Sequence, residues 1–234
     1  MPRWILSARH SDLPELMDDP DCNVRRLENT YAWFARLNPW LARWRALYVR
    51  HIRPVLESVE QATILDLGCG GGDVARLMVR LANEDGFTPQ ILGVDPDERA
   101  ITYAQRQDNP DGVKFRACRS DQLVAEGTRF DIVLSNHVLH HLNEENVVIF
   151  LGHSATLSRR LVLHNDIWRD DLAWLSFVPV ALIPAFNSFI LIDGLRSVRR
   201  AWHPDELLPL LPDGWVARSV APFRMLVIRE ESDG

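Results

Sequence analysis

Lysine is almost missing from this 234-residue chain: Lys114 is the only one, and arginine supplies the rest of the basic charge. Genomic base composition accounts for that bias without a functional reading. Acids outnumber bases, giving a net charge of −6 and an isoelectric point near 5.7. A balance of that sign does not suit the phosphate backbone, so no nucleic-acid partner is expected. Cysteine is scarce as well. Cys22, Cys69 and Cys118 are odd in number and contain no C-x-x-C pair. That spacing excludes a disulfide frame and a cysteine zinc site, and no metal is expected; reduced thiols in a cytoplasmic protein fit it. The opening MPRWILSARHSDLPEL lacks a continuous apolar stretch of signal-peptide length, again favouring the cytoplasm. Internal repeats and low-complexity segments are absent.

The chain does have enough apolar residues, 47%, to bury one substantial core. Short apolar runs near 63–67, 91–95, 113–117, 131–135 and 160–165 alternate with helical patterns. That order predicts a parallel sheet with helices on both faces, closed by a final strand pair near 215–221 and 224–229 around Pro222. The expected division is a helical extension over 1–59 and one α/β domain over 60–234.

Residues 64–75, ILDLGCGGGDVA, are the most informative segment. A buried strand carrying Asp66 runs through Gly68, Gly70, Gly71 and Gly72 into a helix over 73–84. Backbone in such a turn can approach a ligand closely. A dinucleotide is the common occupant, but G-x-G-x-x-G counted from Gly68 requires glycine at position 73, where Asp73 stands. Asp66 would also repel a pyrophosphate. A ligand with a cationic amino-acid end fits better.

Further acids and amides recur at strand ends: Asp95 in ILGVD, Ser120 and Asp121 after VKFRACR, Asn136 in FDIVLSN, and Asp166 in RLVLHND. With these motifs in order, residues 60–166 resemble the class I S-adenosylmethionine-dependent methyltransferases. The resemblance implies a Rossmann-like, seven-stranded, mostly parallel sheet and S-adenosylmethionine as cofactor, released as S-adenosylhomocysteine. It also implies cofactor contacts from Asp66, Gly68, Gly70 and Gly72, and from Asp95 with Pro96 at the ribose. Ser120 and Asp121 would hold the adenine, and Asn136 and His137 the methionine part. SNHVL stands where amino-nucleobase enzymes carry an N/D-P-P-Y/F run, so the chain looks like the small-molecule branch related to quinone and polyketide methyltransferases.

Methyl transfer needs a base only when the acceptor must lose a proton. His140 is the first candidate for it and His137 the second, with His164 behind them; His141 and His203 are expected to be structural. Asp73 and Asp97 are expected as helix caps.

Two flanking segments bear on the acceptor. Tyr31, Phe34, Leu37, Leu41, Trp44 and Tyr48 fall on one helical face, as core or as pocket wall, with an interruption expected at Asn38-Pro39. Arg36, Arg43, Arg45, Arg50 and Arg53 on the same segment leave peripheral membrane contact open. Leu172 to Ile192 contains no charged residue. Its two prolines and its place between strands argue for short lid helices rather than a membrane span. An apolar, aromatic small-molecule acceptor is therefore expected, such as a phenol, quinol or polyketide, methylated on oxygen ahead of carbon. The alternatives are a non-catalytic cofactor-binding module that uses 172–192 as an interface, and a nucleotide-dependent oxidoreductase. Oligomeric state is not legible.

Overall fold

The computed structural model describes residues 6–230; the outermost parts of both expected segments, 1–5 and 231–234, lie outside the described residues. The sheet strands are β1 (Thr63–Leu67), β2 (Gln90–Asp95), β3 (Val113–Ala117), β4 (Phe130–Asn136), β5 (Ser158–Ile167), β6 (Val216–Val220) and β7 (Arg224–Glu230). Their order is β3-β2-β1-β4-β5-β7-β6. Every pairing is parallel except those of β7, which runs antiparallel to both β5 and β6. The parallel strands are almost wholly apolar because helices cover both faces. Along β4 the pleat splits the core: Ile132 and Leu134 enter one cluster, with Ile64 and Met78, while Val133 enters the other, with Leu65 and Leu151.

Before the sheet come α1 (Val24–Leu41), α2 (Trp44–Leu47), a π turn (Tyr48–Ile52) and α3 (Arg53–Ser58). Asn23 caps α1 by accepting from the Arg26 N–H at 3.0 Å. The expected interruption at Asn38-Pro39 does not occur. Pro39 lies inside α1, and the chain turns only at Arg43, with φ 56°. A proline less than one turn from a helix end removes a single hydrogen bond, which the surrounding contacts can carry. Asn38 instead donates to Asp73 Oδ2 at 2.8 Å, seating α1 on the start of α4 (Asp73–Glu84).

The crossovers are α5 (Glu98–Gln105), α6 (Ser120–Ala125) and α7 (Glu144–Leu157). Asp97 caps α5 as expected, accepting from the Arg99 N–H at 2.8 Å. After β5 the uncharged stretch folds as α8 (Asp171–Ala181), a 3-10 turn (Pro184–Phe186) and α9 (Ile190–Arg200), followed by α10 (Pro204–Leu207). Asp170 caps α8 through the Leu172 and Ala173 N–H groups. No helix among the described residues is long and apolar enough to cross a membrane.

Candidate active site

At the carboxyl end of β1 the chain turns through Gly68, Gly70 and Gly72, all with positive φ. Gly68 has a further constraint. A Cβ there would sit 2.6 Å from Val138 Cγ2, so a side chain would collide with the segment that follows β4. Gly68 and Cys69 donate to Val94 O at 2.8 and 3.0 Å, pinning the loop beside the end of β2. Gly72 is the N-cap residue of α4, which corrects the expectation that Asp73 caps it; Asp73 occupies the first helical turn instead. Cys69 is buried, and burial pushes its thiol well above the usual range, so it is inert filler.

Asp95 ends β2. Its Oδ2 accepts from Gly70 N and its Oδ1 from Asp97 N, both at 2.9 Å. Each oxygen keeps a second lone pair for a ligand. Asp66 is 1% exposed, and its Oδ2 has no hydrogen-bond partner. Burial first, then the Asp73 and Asp95 carboxylates, push its carboxyl well above the usual range. A buried, unsatisfied carboxylate oxygen on a cavity wall fits a ligand that brings its own donor.

Across the cavity, Asn136 and His137 follow β4. His137 has φ 60°, and its backbone N–H donates to Asn165 O at 3.0 Å. Arg224, the first residue of β7, reaches three groups: Nε to Asn165 Oδ1 at 2.9 Å, Nη1 to His137 Nε2 at 3.2 Å, and Nη2 to Asn136 Oδ1 at 3.2 Å. An arginine can only donate, so Nε2 of His137 is its acceptor nitrogen. Burial, and then Arg224, hold this imidazole neutral, well below the ordinary histidine value.

His140 sits in the 3-10 turn Leu139–His141 and is 2% exposed. Its Nδ1 lies 2.8 Å from Asp166 Oδ1, and its Nε2 lies 3.4 Å from Glu15 Oε1. Burial alone would lower its pKa, but the two carboxylates outweigh that and raise it to about 9. Glu15 correspondingly falls to about 2 against the pull of burial. The ring expected as a base is thus held between two acids, with Nδ1 taken by Asp166 and Nε2 left without a hydrogen bond beside Glu15.

Ser120 and Asp121, expected at the adenine, do not reach the cavity wall. Residue 120 already opens α6, and its hydroxyl turns to His153 Nδ1 at 3.0 Å, while Asp121 faces outward beside Arg119. Gly72 also lies off the wall, packed toward Phe115. His164 points to the other face of the sheet, bonded to Ser135 and stacked on Trp215, and burial lowers its pKa to about 3. Asp166 is buried behind His140.

The cavity that these elements enclose measures about 810 Å³. Its wall includes Asp66, the Gly68–Gly71 loop, Asp95 and Pro96, and also the apolar Phe34, Leu37, Leu41, Phe177, Val180 and Ile190. The α1 stripe thus divides: Tyr31 through Leu41 face the cavity, while Trp44 and Tyr48 enter the main core. Sequence reasoning missed Glu15 and Arg224. Glu15 comes from an irregular segment held to α9 by Asp193, which accepts from the Leu16 and Met17 N–H groups at 2.7 and 3.0 Å. No periodicity marks either residue.

Residues 64–159 match the family model of a methyltransferase domain. The ubiquinone biosynthesis O-methyltransferase of Rhizobium rhizogenes (strain K84) is 33% identical over 103 residues, 43% of this chain and 38% of that protein. The Bartonella bacilliformis protein of the same description is 33% identical over 151 residues, 63% and 57% of the two chains. These matches span less than two thirds of either relative. Among solved structures, the plantazolicin methyltransferase BpumL in complex with SAH aligns with TM-score 0.62 at 12% identity, over 89% of this chain and 95% of that one. Its complex with a triazolic desmethylPZN analog and SAH gives 0.64 at 14% identity. At such identity the likeness concerns the fold alone.

Proposed function

We propose that this chain, a member of the class I S-adenosylmethionine-dependent methyltransferases, methylates an oxygen of a small, apolar, aromatic acceptor of the phenol, quinol or polyketide type. The observation that carries this reading is the cavity. Its volume lies within the range of about 300–1,000 Å³ typical of small-molecule sites. Carboxylates and apolar side chains line one space together, with His137 and Asn136 among them.

Asp66, the Gly68–Gly71 loop, Asp95, Pro96, Asn136 and His137 would hold S-adenosylmethionine, which supplies a methyl group already activated on a sulfonium. Asp66 offers a carboxylate to the cationic amino-acid end, and Asp95 offers its spare lone pairs to hydroxyls. The α1 side chains and the lid exclude water and align the acceptor, which is most of what an in-line displacement requires. His140 acts as a fixed cation that orders Asp166 and Glu15 behind the site. The ubiquinone relatives support oxygen as the receiving atom.

The test is incubation with S-adenosylmethionine carrying a deuterated methyl group and an organic extract of the source cells, followed by mass spectrometry. A labelled lipophilic product whose fragments place the methyl on oxygen supports the reading. No label, with SAH binding intact by calorimetry, rejects methyl transfer to small apolar acceptors.

A further inference from the structure

We infer that Arg224 holds the acceptor's reacting oxygen as an anion, so that the acceptor class is one with an acidic hydroxyl, a phenol or an enol. This rests on the methyl-transfer reading above and adds to it the ionisation state of the acceptor and the group that secures it.

Charge on the cavity wall comes first. Among the described residues that line it, seven are aspartate or glutamate and one, Arg224, is arginine or lysine. Arg224 is 3% exposed, yet all its hydrogen-bond partners are neutral: Asn165, His137 and Asn136. Two other buried arginines are matched by acids, whereas Arg76 bonds only Asn109 and Gly71 O and does not line the cavity. Arg169 pairs with Glu206, and Arg200 lies 3.8 Å from Glu15. No carboxylate lies within 4 Å of the Arg224 guanidinium among the described residues. A guanidinium carries five N–H groups, and three are engaged here, which leaves two for a ligand. Removing an arginine from water without a counter-ion is costly, and an anionic ligand oxygen would offset that cost through charge-assisted bonds.

Its neighbours make Arg224 a fixed fork. Asn165 donates its Nδ2 to Ala42 O at 2.8 Å, which turns Oδ1 toward Arg224 Nε. Beside the guanidinium are His137 after β4 and the Asp166 carboxylate on β5, with His140 and Glu15 behind Asp166. None can serve as a base for an acceptor hydroxyl. His137 presents Nε2 to Arg224 itself, Asp166 is bonded to His140 Nδ1, and Glu15 accepts from Ser197 beside the His140 ring. The hydroxyl proton therefore passes to water as the anion binds. The oxygen keeps the lone pair that forms the new O–C bond, and the pair of the broken C–S bond stays on sulfur.

The Arg224 backbone lies away from the Asp66 end of the sheet. Asp66 is on β1 and Arg224 on β7, three strands apart in the order β1-β4-β5-β7, or roughly 14 Å at ordinary strand spacing. Its backbone pairs with Ile167 and follows Phe223, both on the cavity wall, and its guanidinium reaches His137 and Asn136.

The probes are 4-nitrophenol and 4-nitrocatechol, whose anions absorb in the visible, titrated against pH on the SAH-bound protein. In the wild type the ionisation midpoint of the bound probe should fall by about one pH unit or more relative to free probe. Arg224→Gln should return the midpoint to the free value and weaken anion binding about tenfold. Arg224→Lys should retain part of the shift and serves as the folded reference if the glutamine variant melts early. SAH affinity should stay within about threefold in both. A wild type that binds neither probe, or binds them only as neutral phenols, overturns the inference, as does an unchanged midpoint in Arg224→Gln. Loss of SAH affinity with probe binding intact would show that Arg224 holds the cofactor's carboxylate instead, and would also overturn it. Deuterium transfer to an acceptor without an ionisable hydroxyl would remove this inference and leave methyl transfer standing; loss of all transfer with a normal probe titration would do the reverse.

Discussion

His140 and Asp166 meet twice: the backbone N–H of His140 donates to Asp166 Oδ2 at 3.0 Å, and its Nδ1 lies 2.8 Å from Oδ1. With Glu15 on the far side of the ring, the contact fixes a cation in the core of the site. The folded value near 9, against an ordinary 6.5, means the folded protein binds more protons between those limits. Stability from this group is complete below about pH 6.5 and is lost as pH rises toward 9. Thermal melts across that window should show a loss on the order of 2 kcal/mol in the wild type. His140→Gln should be less stable throughout and flatter in that range. Equal slopes in the two proteins would refute a protonated His140.

Asp95 is braced by Gly70 and Asp97, so its carboxylate is already aimed when a ligand arrives. Asp95→Ala should raise the SAH dissociation constant by about tenfold or more, a loss of about 1.4 kcal/mol. An unchanged constant by calorimetry would count against the whole cofactor assignment.

Asp66 is held at a disadvantage in the empty protein, buried with one oxygen unbonded beside Asp73 and Asp95. Asp66→Asn should leave the melting temperature of the free protein equal or higher, because a buried like-charge contact is removed. The same variant should bind SAH more weakly, by about fivefold or more. A lower melting temperature with unchanged SAH affinity would assign Asp66 to structure rather than to binding.

Helices α8 and α9 meet at Gly194, where a Cβ would stand 2.1 Å from Phe177 Cε1. Gly194→Ala must push Phe177 across the cavity. It should raise the KM for the acceptor by about fivefold while leaving SAH affinity alone, with Phe177→Leu restoring the double variant. Equal loss of both affinities would show that this helix pair and the cofactor site are not separable.

The sheet was legible because its signals are local. Buried parallel strands must be short apolar runs, and a glycine turn between strand and helix has few substitutes; accordingly 63–67 and 73–84 fall where the sequence places them. Asp66 and Asp95 followed from that frame, since a carboxylate at a strand's end needs only its own strand to be positioned. Sidedness failed where it depended on neighbours. Ser120 turned to His153 once α6 had begun, and Pro39 was absorbed because α1 leans on α4.

By itself, then, the sequence determined the fold class, the strand order's raw material and the carboxylates at the strand ends. Tertiary structure alone decided the charged surroundings of the histidines and the place of Arg224. Both depend on groups far apart in the chain: Glu15, His140 and Asp166 converge on one ring, and Asn136, Asn165 and Arg224 on one guanidinium. Desolvation and charge at distances of a few ångström set those states, and a linear sequence carries no distance.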